Sequence, residues 1–168
     1  YGTISVTSPA NPYPYTLITV PYANSIKGVT DGLEIAPSWK PAEWWTLRGS
    51  FSHLHMGLHS KTGYQESSYV DSYEGTAPHR QANLQSLLDL PHGIHVDADY
   101  RFMSALPAQK VASYQTADGR VAWSVGRHYE LSVVGRNLLQ PAHQEFPGNN
   151  SNAVGIRRSV FAELTWTP

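Results

Sequence analysis

The stretch Ile94-His95-Val96-Asp97-Ala98-Asp99-Tyr100-Arg101-Phe102-Met103 sets Ile94, Val96, Ala98, Tyr100 and Phe102 against His95, Asp97, Asp99, Arg101 and Met103. Successive side chains of a strand point to opposite faces, so this segment reads as a β-strand with one apolar and one charged face. The segment before it repeats the pattern over His79 to Leu90, with Ala82, Leu84, Leu88 and Leu90 on one face and Gln81, Asn83, Gln85 and Asp89 on the other. Pro91-His92-Gly93 joins the two as a tight hairpin.

Working outward, Tyr114 to Val125 places Val121, Trp123 and Val125 opposite Asp118, Arg120 and Ser124. A short turn at Gly126-Arg127-His128 follows, then Tyr129, Leu131 and Val133 oppose Glu130, Ser132 and Arg136. The last strand is expected from about Ile156 to Thr167. Toward the N-terminus, Ser25 to Trp39 and Trp44 to Leu58 form a hairpin across Lys40-Pro41-Ala42-Glu43, and Thr3 to Thr7 reads as the end of one more strand. In the strand from Trp44 the apolar set changes phase from Trp45, Leu47 and Phe51 to Leu54, Met56 and Leu58. That change predicts a β-bulge near Ser52-His53, or the point where the strand leaves its apolar surroundings.

Composition narrows the function. The 12 Lys and Arg against 13 Asp and Glu give a net charge of −1, which provides no electrostatic footprint for nucleic acid. The absence of cysteine removes thiolate nucleophiles, disulfides and Cys-based metal sites. With 13 Gly and 12 Pro clustered between alternating runs, the chain is punctuated as an all-β architecture. The turns near 40–43, 91–93 and 126–128 are short, whereas the loops near 59–78, 104–113 and 138–155 are long. This asymmetry, with strands of about 10 residues and one apolar face, is that of an antiparallel transmembrane β-barrel with short periplasmic turns and long extracellular loops. Trp39, Trp44, Trp45, Tyr129 and Trp166 all fall near the short-turn end, where interfacial aromatics belong.

Several segments then resemble TonB-dependent outer-membrane receptors. Asn24-Ser25-Ile26-Lys27-Gly28-Val29-Thr30-Asp31-Gly32-Leu33-Glu34 resembles that family's "N…G.T.G.E" strand, and Trp45-Thr46-Leu47-Arg48-Gly49-Ser50-Phe51-Ser52 its "W.L…YS" strand. Pro78-His79-Arg80-Gln81 with Leu87-Leu88-Asp89-Leu90-Pro91 is similar to the "P.HQ…DLP" hairpin. Asp118-Gly119-Arg120-Val121-Ala122-Trp123 is similar to the "D.R..W" strand, and Glu130-Leu131-Ser132-Val133-Val134-Gly135-Arg136-Asn137-Leu138-Leu139 to the "ELS..G.NL" strand. Arg158-Ser159-Val160 with Leu164-Thr165-Trp166 matches the closing strand, although Thr167 and Pro168 follow where such barrels commonly end in Phe or Trp.

The resemblance implies that residues 1–168 are the C-terminal part of a plugged barrel of roughly 22 strands. About eight strands are expected here, as an open, curved antiparallel sheet or one closed by residues outside the chain. The plug domain and TonB box are absent from these residues. The implied role is outer-membrane uptake of a scarce ligand, an iron–siderophore complex. The implied partners are the lipid bilayer, the plug and remaining barrel strands, TonB acting through that plug, and the extracellular small molecule. No cofactor is expected. Two alternatives stay open: a self-contained eight-stranded barrel with a passive or structural role, and a soluble β-sandwich binding carbohydrate through Trp and Tyr.

Candidate sites are few. His53 and His55 stand at i and i+2 on one strand face, a spacing able to chelate a transition metal, with His59 following. No third ligand is fixed by the sequence, so the preferred reading is polar residues lining the mouth of the lumen, in reach of cargo, with no metal. His95, Asp97, Asp99 and Arg101 form an inward row beside Glu130 and Arg136, read as a polar lumen wall. Tyr64, Tyr69 and Tyr73 stand in a loop rich in Ser, Tyr and Gly and are the expected cargo contacts. Lys61-Thr62-Gly63 lacks the Ser-x-x-Lys partner that its penicillin-recognising counterpart requires, and Asn149-Asn150-Ser151 is a sequon expected to be idle. No acid–base pair or nucleophile elbow appears, so no enzymatic activity is expected. The assignment of faces is testable. Leu84→Arg, on the apolar face, is expected to cost about 2–4 kcal/mol of bilayer-refolded stability in a denaturant titration, and Gln85→Arg far less. Equal tolerance at the two positions would contradict it.

Overall fold

The computed structural model describes residues 3–8, 11–18, 24–63, 70, 73–145 and 155–168. Their strands, numbered in chain order, are β1 (Thr3–Ser8), β2 (Asn11–Ile18), β3 (Ile26–Ile35), β4 (Ser38–Ala42), β5 (Trp45–Ser60) and β6 (Arg80–Leu90). They continue as β7 (Ile94–Met103), β8 (Tyr114–Val125), β9 (Tyr129–Arg136), β10 (Ala142–Gln144), β11 (Gly155–Arg157) and β12 (Ser159–Trp166). One eight-stranded antiparallel sheet runs in the order β12-β9-β8-β7-β6-β5-β3, with β4 also paired to β5. Two smaller two-stranded sheets join β1 to β2 and β10 to β11. The main sheet is not closed: β3 and β12 are its edges. The expected strand at Thr3 to Thr7 thus exists as β1, but it pairs with β2 alone and adds nothing to the main sheet.

Strands β3 and β4 are one strand interrupted. Ile35 lies opposite Phe51 and Ser38 opposite Arg48, so the register with β5 carries across the gap at Ala36 and Pro37. Pro37 has no N–H to give to a ladder, yet its carbonyl still accepts from Gly49 N at 2.9 Å. An edge strand is where such an interruption is tolerated. The turn that follows is tightened by Lys40 Nζ, 2.7 Å from Glu43 Oε2. That hydrogen bond first, and the lysine charge second, hold the Glu43 carboxyl below the usual range.

Directly opposed residues share a face, and the unbroken ladders therefore sort the whole sheet by parity. Trp45, Leu88, Val96, Val121, Val133 and Ala162 form one continuous row across six strands. Rows on this side hold Leu47, Leu84, Tyr100, Trp123, Leu131, Val160 and Leu164 as well. Leu84, Val121 and Leu164 are 52%, 54% and 67% exposed, so no second layer covers this side among the described residues. The strands β6, β7 and β8 are 11, 10 and 12 residues long. About 10 residues at ~3.4 Å each, tilted ~45°, rise about 24 Å, the height of an outer-membrane barrel's apolar band. No helix of the described residues is long and apolar enough to cross a membrane, which leaves spanning by strands untouched.

At the short-turn end, Trp39, Trp44, Trp123, Tyr129 and Trp166 are all exposed, and Trp44 stacks on Trp45 with ring centroids 6.2 Å apart. At the other end the connections are long and partly folded. Leu106 and Val111 exchange backbone hydrogen bonds at 2.9 and 3.2 Å and are both buried. The loop after β9 doubles back as the β10–β11 ladder, with His143 opposite Ile156.

No bulge occurs at Ser52-His53. Phe51, Ser52 and His53 lie opposite Ile35, Glu34 and Leu33 on one side and Ala82, Gln81 and Arg80 on the other, without a shift. The change of phase instead marks where β6 stops. Beyond His53, β5 pairs with β3 alone, and its freed backbone edge meets the loop that follows, where His79 Nδ1 lies 3.1 Å from the Leu54 carbonyl oxygen and the Glu74 carboxylate accepts from Leu58 N. Leu54, Met56 and Leu58 stand half-buried on the inward side there, and the Leu58 side chain fills the space above Gly28 on β3.

The β6–β7 hairpin closes through His92 at φ 66° and Gly93 at φ 72°. A Cβ on Gly93 would stand 3.1 Å from the Ser124 carbonyl oxygen. Gly93→Ala is therefore expected to cost about 1–2 kcal/mol in a denaturant titration, and His92→Gly to be neutral or mildly stabilising. Equal stability of Gly93→Ala and wild type would show that this turn does not constrain the sheet.

Candidate functional site

The side of the sheet opposite the apolar rows carries its charge in register. Asp97 lies opposite Arg120, and Asp99 opposite Asp118, across the β7–β8 ladder. Period-two alternation places all four on one face, and the ladder brings acid beside base. Arg120 binds Asp97 Oδ2 through Nη1 at 3.2 Å and the Glu130 carboxylate through Nη2. Arg101 binds Asp99 Oδ1 at 3.2 Å and Asp118 Oδ2 at 3.0 Å. Asn83 Nδ2 donates to Asp99 Oδ2 at 2.8 Å, and the backbone N–H of Asn137 donates to Asp118 Oδ1 at 2.8 Å. Each arginine thus holds two carboxylates that would otherwise repel.

Further along the same face, His95 Nδ1 lies 2.7 Å from Asp89 Oδ1, and the Arg136 guanidinium sits over the Phe161 ring at 5.4 Å from its centroid. Toward the loop end this face opens into a cleft of about 410 Å³, lined by Glu34, Ser50, Ser52, Gln81, Asn83 and Arg101 among others. Its walls offer hydroxyl, amide and charged groups but no reactive pair. Beside it, His143 stacks on Tyr114 with centroids 4.5 Å apart and meets Glu145 Oε1 through Nε2 at 2.9 Å. The His143 ring is almost wholly buried, and among the described residues its Nδ1 has no hydrogen-bond partner, nor has Thr116 Oγ1. The arrangement suits polar contacts with something held inside the curve of the wall.

The residues singled out from the sequence are not gathered at this cleft. Tyr64 and Tyr69 lie outside the described residues. Tyr73 is 56% exposed in the loop between β5 and β6, where its carbonyl accepts from Thr76. His53 and His55 do not line the lumen mouth. They share the outward face with Phe51 because β5 keeps its register, and His55 Nδ1 lies 3.2 Å from Asp31 Oδ1 across the β3–β5 ladder. Among the described residues, no three His, Asp or Glu side chains are grouped to hold a metal. The inward row of His95, Asp97, Asp99, Arg101, Glu130 and Arg136 does share one face. What the sequence reading missed is its pairing scheme through Asp118 and Arg120. Their face was legible from alternation, but a long loop joins β7 to β8, and its length leaves the register between them unset.

No family model and no curated protein matches the sequence. In fold the chain is similar to a chain of the solved FpvAI–pyocin S2 complex, with a TM-score of 0.63 at 16% identity. The likeness covers 95% of this chain and 21% of that one, so this chain spans about a fifth of its length. The paired wall makes its own prediction. Arg120→Gln leaves Asp97 and Glu130 without a counter-charge, and a cost of about 1–2 kcal/mol is expected, reduced by the partial exposure of all three. Adding Asp97→Asn is expected to recover part of it in a double-mutant cycle. Strict additivity of the two substitutions would show that the pair is uncoupled.

Proposed function

We propose that this chain forms part of the wall of a TonB-dependent outer-membrane receptor that takes up a scarce ligand, an iron–siderophore complex. The observation that carries the reading is a sheet one layer thick whose exposed outward rows are apolar and whose other face is knitted by ion pairs. Water on the charged side and hydrocarbon on the other satisfy both faces. A soluble sandwich needs a second sheet over Leu84, Val121 and Leu164, and those residues are exposed. A self-contained small barrel needs β3 to meet β12, and they are the two free edges. Unpaired edges in lipid cost several kcal/mol per orphan backbone group, which favours further strands completing the wall.

The fold likeness to a chain of the FpvAI–pyocin S2 complex agrees with this architecture. In this reading the long loops and the inward cleft face the cargo, while the ion-paired wall faces a plug and the lumen. TonB supplies energy through that plug. The chain makes and breaks no bond. Uptake tests the proposal. Cells lacking the protein are expected to lose accumulation of a labelled ferric siderophore, and cells that keep it but lack TonB are expected to lose it equally. Accumulation that persists without TonB would replace energised uptake with passive passage, and full-strength accumulation without the protein would remove it from the process.

A further inference from the structure

We propose that the outward-facing row of Arg80 and His53, with His55 and Lys27 beyond it, binds the phosphate groups of lipid headgroups at the long-loop end of the sheet. The proposal rests on the membrane reading above, which puts the apolar rows in hydrocarbon. Along those rows, from Ile35, Phe51, Ala82 and Phe102 to Val125, Tyr129 and Trp166, the described strands carry no Asp, Glu, Lys, Arg or His on the outward side. The first charged or titratable pair met on leaving that belt on β5 and β6 is His53 directly opposite Arg80.

Position selects the ligand. One row is two residues, which is ~6.8 Å along the strand and about 5 Å along the membrane normal at ~45° tilt. The interfacial layer outside the hydrocarbon is about 5–8 Å thick on each side, so Arg80 and His53 stand at the depth of the headgroup phosphates. Both are exposed, and among the described residues the arginines in salt bridges are Arg101 and Arg120, leaving the Arg80 guanidinium without a carboxylate. A guanidinium presents a planar fork that matches two phosphate oxygens, and an adjacent imidazole adds a donor.

The surroundings agree in sign. On the outward side beyond the belt, β3 contributes Lys27 and Asp31 and β5 contributes His53, His55 and His59. Asp31 is engaged by His55 at 3.2 Å, and Lys27 lies opposite His59. At the opposite end of the sheet Lys40 is neutralised by Glu43. Arg80 and Lys27 thus leave the loop rim with cations unpaired among the described residues, which fits headgroup phosphate there, while at the other rim Arg127 in the β8–β9 turn is likewise exposed and outside any salt bridge.

The experiment uses the full-length protein reconstituted into phosphatidylcholine vesicles, with fluorescent lipid A, which carries two phosphates, titrated in. Arg80→Gln is expected to weaken lipid A binding about fivefold, the effect of one cation at a charged membrane surface. His53→Gln, a milder change that leaves Arg80 in place, is expected to weaken it less, and Lys40→Gln to leave it unchanged. Dephosphorylated lipid A is expected to bind wild type and Arg80→Gln alike. Equal lipid A affinity in inserted wild type, Arg80→Gln and His53→Gln would overturn the site. Displacement of lipid A by an equal concentration of inorganic phosphate would overturn the lipid as its source. Failure of the wild type to insert into vesicles at all would instead sink the membrane reading, and this proposal with it.

Discussion

Antiparallel backbone pairing in a single unbroken register is the constraint on which the rest of this molecule depends. From β5 to β12 each strand meets the next without a slip, so the parity of a residue number decides which solvent its side chain meets. A slip of one residue anywhere would carry arginines into the apolar rows and leucines into the ion-paired wall. The same constraint accounts for where irregularity is found. Pro37 and Pro41 fall on the edge formed by β3 and β4, where a missing N–H disturbs one ladder instead of two, and the single shift against β5 falls between Trp39 and Ala42.

The two faces solve opposite problems. The apolar side gains by leaving water and asks nothing of its neighbours beyond hydrocarbon, so its residues are large, varied and individually exposed. The other side gathers acids from three strands, and without Arg101 and Arg120 those carboxylates would repel one another. Each arginine reaches two of them, which ties β7 to β8 and β8 to β9 through side chains as well as backbone. Because these pairs are partly exposed, solvent screens them, and they set register and surface chemistry more than they set total stability.

The long-loop end obeys a different rule. There β5 runs past β6, the returning loop takes up its backbone edge through His79 and Glu74, and Leu54, Met56 and Leu58 stand half-buried on the side where Arg48, Ser50 and Ser52 are polar below them. The histidines alternate with them and face outward. A sequence pattern that breaks phase without a structural slip is thus the signature of a change in surroundings along a straight strand. This also separates the two charged districts of the protein, an inward one knitted by arginine–carboxylate pairs and an outward rim where, among the described residues, only His55 and Asp31 are paired.

The alternation of Ile94 to Met103, the hairpin at Pro91-His92-Gly93 and the alternating loop lengths determined the fold class, the strand direction and the two faces without any coordinates, because strand geometry has a period of two and short turns admit few conformations. The same periodicity showed that Asp97, Asp99 and Arg101 share a side. It was unable to show that Asp118 and Arg120 lie opposite Asp99 and Asp97, or that Arg80 meets His53, since each of those pairs spans a connection too long to transmit register. It also left the phase change in β5 with two explanations, which only the length of β6 separated. Those decisions belong to the tertiary structure, because register across a long loop is settled by the packing of whole strands and not by the residues that join them.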